Sequence, residues 1–474
     1  MTETENEIWE KIQKEKQKEQ RAYVLGIMAN ILLFFVLGLF MISPLIQLIV
    51  RITLPEKYHH MLLTGTSIQV VKYQQMIRRV NQMARFVAAF FYIYCGYYII
   101  TNRRTVKSDL KKYLKRIAPL VLFFLLAAAI VVVTKVRGAN EYDLTGHPYM
   151  YESIYSYITY PLVYFFCGMF VFSAKMKRGL LYTLTISALP LNILVLVNAW
   201  FTPIKYFVGG GSAVAVFHNS NHYGYYLVIT VIASSILFVY EKGLGWKIYN
   251  AVSALIGMMS LIVTNVLGGY LAVLIVLVSF VIYCFIKEKQ LKWQAVGVLI
   301  AYFLVSLIMG FWYPTVTSNF TSLFTDLGAV IEDPLEADSA GSSRWKLWKG
   351  TVQHMGESPW TGFGVEGLLN TYGVGTPHNE LLQYAEFFGI PAMLLYLSAV
   401  VVIIVTILKH SGKFSKMTLV CFCVSIGYLI GSLFGVAIYY TTPFIYIFLG
   451  LTYAEYFKNG CETETVGGEN NTAL

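Results

Sequence analysis

Charge is what this chain lacks. Charged residues make up 13% of its 474 positions, while apolar types make up 57%. A water-facing surface needs roughly twice that share of charge. An ordinary soluble enzyme and a disordered chain are both excluded. Cysteine is sparse as well: Cys95, Cys167, Cys284, Cys421, Cys423 and Cys461. All but Cys461 lie inside apolar stretches. The closest pair, Cys421 and Cys423, has no histidine beside it. Neither a disulfide framework nor a metal site is expected.

What is present is apolar length. A helix needs ~20 apolar residues to cross a bilayer, because no backbone polar group can go unpaired in lipid. About twelve such segments fall near 23–42, 84–101, 117–135, 154–173, 180–199, 223–240, 249–265, 268–286, 293–312, 388–408, 417–437 and 441–457. The fold class expected is all-α: a polytopic helical membrane protein with a large extracytoplasmic loop before its last three spans. No small-residue cleavage site follows the first apolar run, so that run is expected to stay as an anchor.

The formal net charge is +10, which in a soluble chain would suggest nucleic acid. Here the basic residues sit between apolar blocks, so no nucleic-acid partner is expected. With the N-terminus inside, roughly two-thirds of the 36 Lys and Arg fall on the cytoplasmic side, as the positive-inside rule asks. This divides the chain into a cytoplasmic tail (1–22), nine spans (23–312), an extracytoplasmic loop with interfacial helices (313–387), three spans (388–457) and a second cytoplasmic tail (458–474). Both termini are then cytoplasmic. Residues 43–83, basic yet on the outer side, read as amphipathic segments in the interface.

The expected spans contain almost no Asp, Glu, Lys or Arg. An ion path usually marks itself with such residues at mid-bilayer, so polar chemistry is expected at a membrane face. The loop from Tyr313 to Pro377 is too long for a plain connector. In it, Ser342 and Ser343 can cap a helix that carries Arg344, Trp345 and Trp348. Gly362 and Gly364 could turn backbone N–H groups toward an anion, or could simply form a glycine-rich connector. No arginine occurs between Arg178 and Arg344. A guanidinium forks onto two phosphate oxygens as a lysine cannot, so Arg344 is the first choice to hold a diphosphate. Snorkelling at the interface is the plain alternative.

Next comes TPHNELLQYAEFFG. His378 sits where the loop re-enters a helix. Helical spacing sets Asn379, Gln383 and Glu386 on one stripe, with His378 about 80° away. One sector can then show an imidazole, an amide and a carboxylate to an aqueous cleft. An imidazole can take a proton from a hydroxyl near neutral pH.

At these residues the chain resembles the O-antigen ligase and O-antigen polymerase family of bacterial membrane glycosyltransferases. Arg344-Trp345, Pro359, Gly362, Gly364 and His378-Asn379 with Gly389 are similar to the family's C-terminal signature. The segment AVFHNSNHYGYYL, with Phe217, Asn219 and Asn221, is similar to a mid-chain one. Family members often carry arginine in the mid-chain outer loop. This chain has Lys205, His218 and His222 there, and Ala392 where ligases usually have Gly, Thr or Tyr, which leans toward polymerase.

The resemblance implies a metal-independent, inverting glycosyltransferase of the bacterial plasma membrane, without a cofactor. Its donor would be an oligosaccharide on a polyprenyl diphosphate in the outer leaflet. Its acceptor would be a hydroxyl of a glycan or lipid, and other polysaccharide-assembly proteins are candidate partners. Arg344 would neutralise the leaving diphosphate, and His378 would act on or orient the acceptor. Glu386 would set the imidazole's tautomer. Asn379, Asn221, Trp345, Gly362 and Gly364 would contact substrate, and Lys205, His218 or His222 would supply a second cation. A flippase for lipid-linked glycans is the alternative. It predicts internal repeats and broken or charged helices at mid-bilayer, neither of which is evident. A non-catalytic scaffold is the third reading.

Overall fold

The computed structural model describes residues 110–146 and 152–462, with short breaks at 171–172, 202–207, 210–211, 214, 218, 335–336, 366, 374, 411–413 and 439–440. It also describes a helix at 34–46 and scattered positions on either side of it. That helix is α1 (Phe34–Ile46). Then follow α2 (Leu110–Arg137), α3 (Glu141–Thr145), α4 (Ile154–Phe170) and α5 (Ala174–Trp200). A two-residue hairpin pairs β1 (Val208–Gly209) with β2 (Ser212–Ala213). After it come α6 (Ser220–Tyr240), α7 (Leu244–Val263), α8 (Leu267–Ile286), α9 (Lys292–Trp312), α10 (Pro314–Glu332), α11 (Arg344–Met355), α12 (Gly367–Tyr372) and α13 (Glu380–Phe388). The chain closes with α14 (Ile390–His410), α15 (Lys416–Ser432) and α16 (Thr442–Glu462). The protein is an all-α, polytopic membrane protein.

Among the described residues, seven helices are long and apolar enough to cross a membrane: α2, α5, α6, α7, α8, α9 and α14. They coincide with seven of the twelve spans expected from sequence. Helices α4, α15 and α16 occupy three further expected positions and are shorter or less apolar, and α1 overlaps the first. The span expected at 84–101 and the amphipathic region at 50–83 lie outside the described residues.

Helix α6 is the centre of the bundle. Its N-cap is Asn219, whose side chain accepts the Asn221 N–H. From there an almost unbroken apolar run keeps going round the helix, so no face prefers water. The structure buries 94% of its most apolar window inside the protein. Helices α7, α15, α8 and α5 pack around it. A second apolar cluster joins α2, α4, α14 and α16, with α13 inserted at its end. Helix α15 belongs to both clusters, giving Val420, Cys421 and Val424 to the first and Tyr428 to the second. Cross-helix hydrogen bonds satisfy the polar groups inside: Tyr223 to Asn192 at 2.8 Å, Asn250 to Tyr182 at 2.8 Å and Ser234 with Ser253 at 2.9 Å. Such bonds contribute roughly 0.6–2 kcal/mol each between membrane helices.

The alternating helices give the bundle two ends. At one end α5 and α15 begin and α16 finishes. There the fully buried Lys177 donates to Thr418 at 2.7 Å and meets Glu455 at 3.5 Å. Glu455 also takes the Ser415 N–H at 2.8 Å and the Thr418 hydroxyl. At the other end α2, α5, α7, α9 and α15 finish, and α4, α6, α8, α14 and α16 begin. Helices α10 to α13 cover that end.

Removing one partner of a buried ion pair strands the other, at a cost of roughly 3–5 kcal/mol. Lys177→Met is therefore expected to lower the unfolding temperature of the detergent-solubilised protein by several degrees. A melting curve that superimposes on the unaltered protein's would contradict the network's role.

Candidate functional site

The covered end holds the residues in question. Gly341, Ser342 and Ser343 all have left-handed backbones, with φ of 61°, 59° and 66°. Together they make a tight turn that aims the chain into α11. The sequence suggested a serine cap here. Instead Ser343 makes no side-chain cap bond, and the backbone closes the turn through Arg344 N–H to Gly341 C=O at 3.3 Å. Asp326 on α10 steadies it by accepting the Gly341 N–H at 2.9 Å.

Arg344 is the first residue of α11, half-buried. One turn on, Trp348 donates its indole N–H to the Pro377 carbonyl at 3.0 Å. Residues four apart share a helix face, so the same bond that holds Pro377 brings Arg344 over His378. The guanidinium charge reaches the imidazole. Burial first, and Arg344 second, push the His378 pKa down to about 4. At neutral pH this imidazole is uncharged. His378 itself has φ of 49°, a left-handed backbone that costs a non-glycine residue roughly 1–3 kcal/mol and clusters at functional positions. Its Nδ1 is buried and without a hydrogen-bond partner among the described residues.

Asn379 caps α13, its side chain accepting the Leu382 N–H at 3.1 Å. The next residue, Glu380, turns inward and is 1% exposed. Tyr396 donates to its Oε1 at 3.1 Å, and its Oε2 has no partner among the described residues. Burial lifts its carboxyl to about 7, against the pull of hydrogen bonds led by Tyr396. The charge of Glu380 reaches Tyr225 of α6, which the charge of Arg344 also reaches. The Tyr225 hydroxyl is likewise buried with no partner among the described residues. It lies against Gly435, where a β-carbon would fall on top of it. Arg344 is thus linked through its charge to His378 and to Tyr225, and Tyr225 in turn to Glu380.

Several expected roles are corrected. Glu386 does not orient His378. It accepts from, or donates to, His354 Nδ1 at 2.9 Å, and that imidazole stacks on Phe363 at 3.8 Å. Burial raises the Glu386 carboxyl and the His354 partner opposes the rise. Gln383 is also not in a cleft: it donates to Tyr157 at 2.8 Å and accepts the Ala437 N–H at 2.8 Å. The Gly362–Gly364 turn does not cradle an anion, because its N–H groups are spent. Gly362 donates to Ser358 at 3.0 Å, Phe363 to the Glu386 carbonyl at 2.8 Å and Gly364 to Phe387 at 3.0 Å. A β-carbon on Gly362 would sit 2.6 Å from that Glu386 carbonyl. Trp345 spends its indole N–H on Pro334 at 2.8 Å.

In the mid-chain segment, Asn221 is half-buried, four residues before Tyr225 and so on its face of α6. His222 is buried, 7% exposed. Lys205 and His218 lie outside the described residues. Arg137, the other described arginine at this end, is committed. It binds Asp143 at 2.7 Å and the carbonyls of Phe387 at 3.0 Å and Thr361 at 3.3 Å. Reasoning from sequence missed Glu380 and Tyr225. A carboxylate directly after His-Asn was a usable signal for the first. The second was one tyrosine among 35.

Residues 251–397 match the family model described as O-antigen ligase. That match spans about a third of the chain and supports an assignment to the O-antigen ligase and polymerase family. The O-antigen ligase region contains Arg344, His378 and Glu380, while Tyr225 precedes it. The match supports a multi-pass membrane protein that transfers glycan in O-antigen assembly. No curated protein matches the chain.

Two outcomes follow from this geometry. Gly362→Ala forces a left-handed alanine into the Glu386 carbonyl and should destabilise the protein by more than about 2 kcal/mol, read as a fall in unfolding temperature. Glu380 binds its proton more tightly folded than unfolded, because its pKa is raised from 4.5 to about 7. Its contribution to stability is present below pH 4.5 and is lost as pH rises through 7. Glu380→Gln should therefore raise the unfolding temperature at pH 8 more than at pH 5. An equal effect at both would contradict the buried carboxyl.

Proposed function

We propose that the protein is a metal-independent, inverting glycosyltransferase of the bacterial plasma membrane, working on the outer face. It moves an oligosaccharide from a polyprenyl diphosphate to an acceptor hydroxyl. The product is a capsular, exo- or O-antigen-type polymer, or a glycan ligated to a lipid acceptor. The observation that carries this reading is a cation within electrostatic reach of a neutral imidazole, with uncommitted buried polar atoms beside both.

The orientation follows from charge. The end opposite the site carries Lys175, Lys177, Arg178, Lys242, Lys247, Lys287, Lys289, Lys292, Lys409 and Lys416. With that end in the cytoplasm, the site faces outward, where a finished lipid-linked repeat unit would be met.

Each residue then has a task. Arg344 forks onto the diphosphate and stabilises the charge that grows as the anomeric C–O bond breaks. His378, kept neutral beside that cation, has one ring nitrogen to donate and one to accept. It orients the acceptor hydroxyl without repelling the guanidinium. Its left-handed backbone fixes the ring from below. Asn221, on the Tyr225 face of α6, is assigned to hydrogen-bond the sugar. The diphosphate is already a good leaving group, so the charge to be met is met by the guanidinium. Attack from the face opposite the diphosphate inverts the anomeric centre.

Loss of one preorganised contact to a developing charge typically costs 10²–10³ in rate. Arg344→Lys is expected to slow transfer by about 10²-fold, and His378→Ala to stop polymer growth, both at unchanged membrane abundance. The measurement is glycan length on gels from cells expressing each variant. Normal polymer from both variants would end the assignment. Glycan crossing vesicle walls with no new bond would replace it with transport.

A further inference from the structure

We propose that Glu380 takes the proton from the acceptor hydroxyl, inside a pocket walled by Tyr225, Tyr396 and Tyr428. The assignment rests on the transfer reaction proposed above and supplies it with a base. Glu380 begins α13, two residues after His378 and directly after the Asn379 cap. Among the described residues, buried Asp143 is paired with Arg137 and buried Glu386 with His354, while Glu152, also buried, accepts the Tyr160 hydroxyl at 2.5 Å. Glu380 has the Tyr396 phenol on Oε1 at 3.1 Å and the Ser432 and Tyr428 hydroxyls near enough to favour its charged form, and Oε2 makes no close hydrogen bond among the described residues.

Its charge reaches Tyr225, whose hydroxyl is also uncommitted. Glu380 Oε2, Tyr225 Oη and His378 Nδ1 are all buried and all without hydrogen-bond partners among the described residues. Each such atom costs roughly 1–3 kcal/mol if left dry and unpaired. Three such atoms, two of them on groups that the Arg344 charge reaches, fit a ligand rich in hydroxyls: one to donate to Oε2, one to accept from Oη, one to meet Nδ1. An acceptor sugar has that chemistry, whereas a lipid tail does not.

The groups facing Glu380 do not compete for the role. They are the phenols of Tyr157, Tyr225, Tyr384, Tyr396, Tyr428 and Tyr446, each within reach of its charge. The imidazole of His378 lies two residues earlier, before the extended Asn379 cap, and the Arg344 charge reaches it and Tyr225. A base works best with a pKa near the operating pH. Glu380 at about 7 meets that condition, and His378 at about 4 does not.

The step balances. The acceptor O–H gives its proton to Glu380 Oε2. The oxygen's electron pair forms the new bond to the anomeric carbon. The bond from that carbon to the diphosphate oxygen breaks, and its pair leaves on the diphosphate held by Arg344. The proton passes from Glu380 to water when the product departs.

The test uses the full-length protein in lipid vesicles with lipid-linked oligosaccharide extracted from cells that lack it. Transfer by the unaltered protein is expected, with kcat/KM falling as pH drops below about 7. Glu380→Gln is expected to lose at least about 10²-fold in kcat, with the donor KM within about twofold of the unaltered value if donor binding rests on Arg344. Tyr396→Phe removes a hydrogen bond that favours the ionised carboxylate, so its acid limb should move to higher pH. That second variant retains the carboxylate and so reads the base even if Glu380→Gln folds poorly. Full turnover in Glu380→Gln, or an acid limb unmoved in Tyr396→Phe, would overturn the role of Glu380 and leave the transferase standing. No transfer by the unaltered protein would overturn both.

Discussion

Two stretches of backbone cross at the covered end of the bundle, and the site depends on that crossing. Phe363 and Gly364 donate to the carbonyls of Glu386 and Phe387, and Ile390 donates to Pro359. Arg137 clamps the same place from α2 by binding both Thr361 and Phe387. Only glycine permits this approach at Gly362 and Gly389, where a β-carbon would enter the opposing backbone. The crossing fixes the far end of α13. With that end fixed, the nine residues of α13 set where His378 and Glu380 stand at its beginning. A spacing of histidine to glycine thus has a mechanical meaning: it is the length of one helix between its anchor and its working end.

Electrostatics at the working end are governed by burial before they are governed by charge. The imidazole of His378 and the carboxyl of Glu380 are both driven toward their neutral forms by loss of water. Arg344 adds to that pressure on the imidazole. A neutral histidine beside an arginine is a stable arrangement, because the pair contains one cation and not two. The guanidinium stays available to an anion. The dyad of His354 and Glu386 acts elsewhere, tying α11 to α13 so that the arginine and histidine keep their register.

The sequence made the architecture legible because membrane helices announce themselves by apolar length alone. It also made Arg344 and His378 legible, since one is isolated along the chain and the other opens a helix. It could not show where N–H groups are spent. Gly362 and Gly364 looked like an anion nest, and only the approach of α13 reveals their use. Glu386 was assigned to the nearest histidine in sequence, while the fold brings His354, 32 positions earlier, within reach instead. Tyr225 was lost among many tyrosines because its distinction is three-dimensional: on the central helix it lies within reach of the charges of both Arg344 and Glu380. The pattern is physical. Features set by hydropathy along the chain are written locally, and features set by which backbone crosses which are not.

The total enclosure of α6 has a consequence for how the protein lives in different membranes. A helix whose apolar window is 94% inside the protein presents almost nothing to lipid. Bilayers that are thinner or thicker than its span act on a helix by tilting it or by straining the surrounding acyl chains. Those forces fall on the peripheral helices α2, α9 and α14, whose windows are mostly uncovered. Tyr225 rides on a span that acyl-chain length cannot tilt directly, so its depth is set by protein neighbours and not by the thickness of the host membrane.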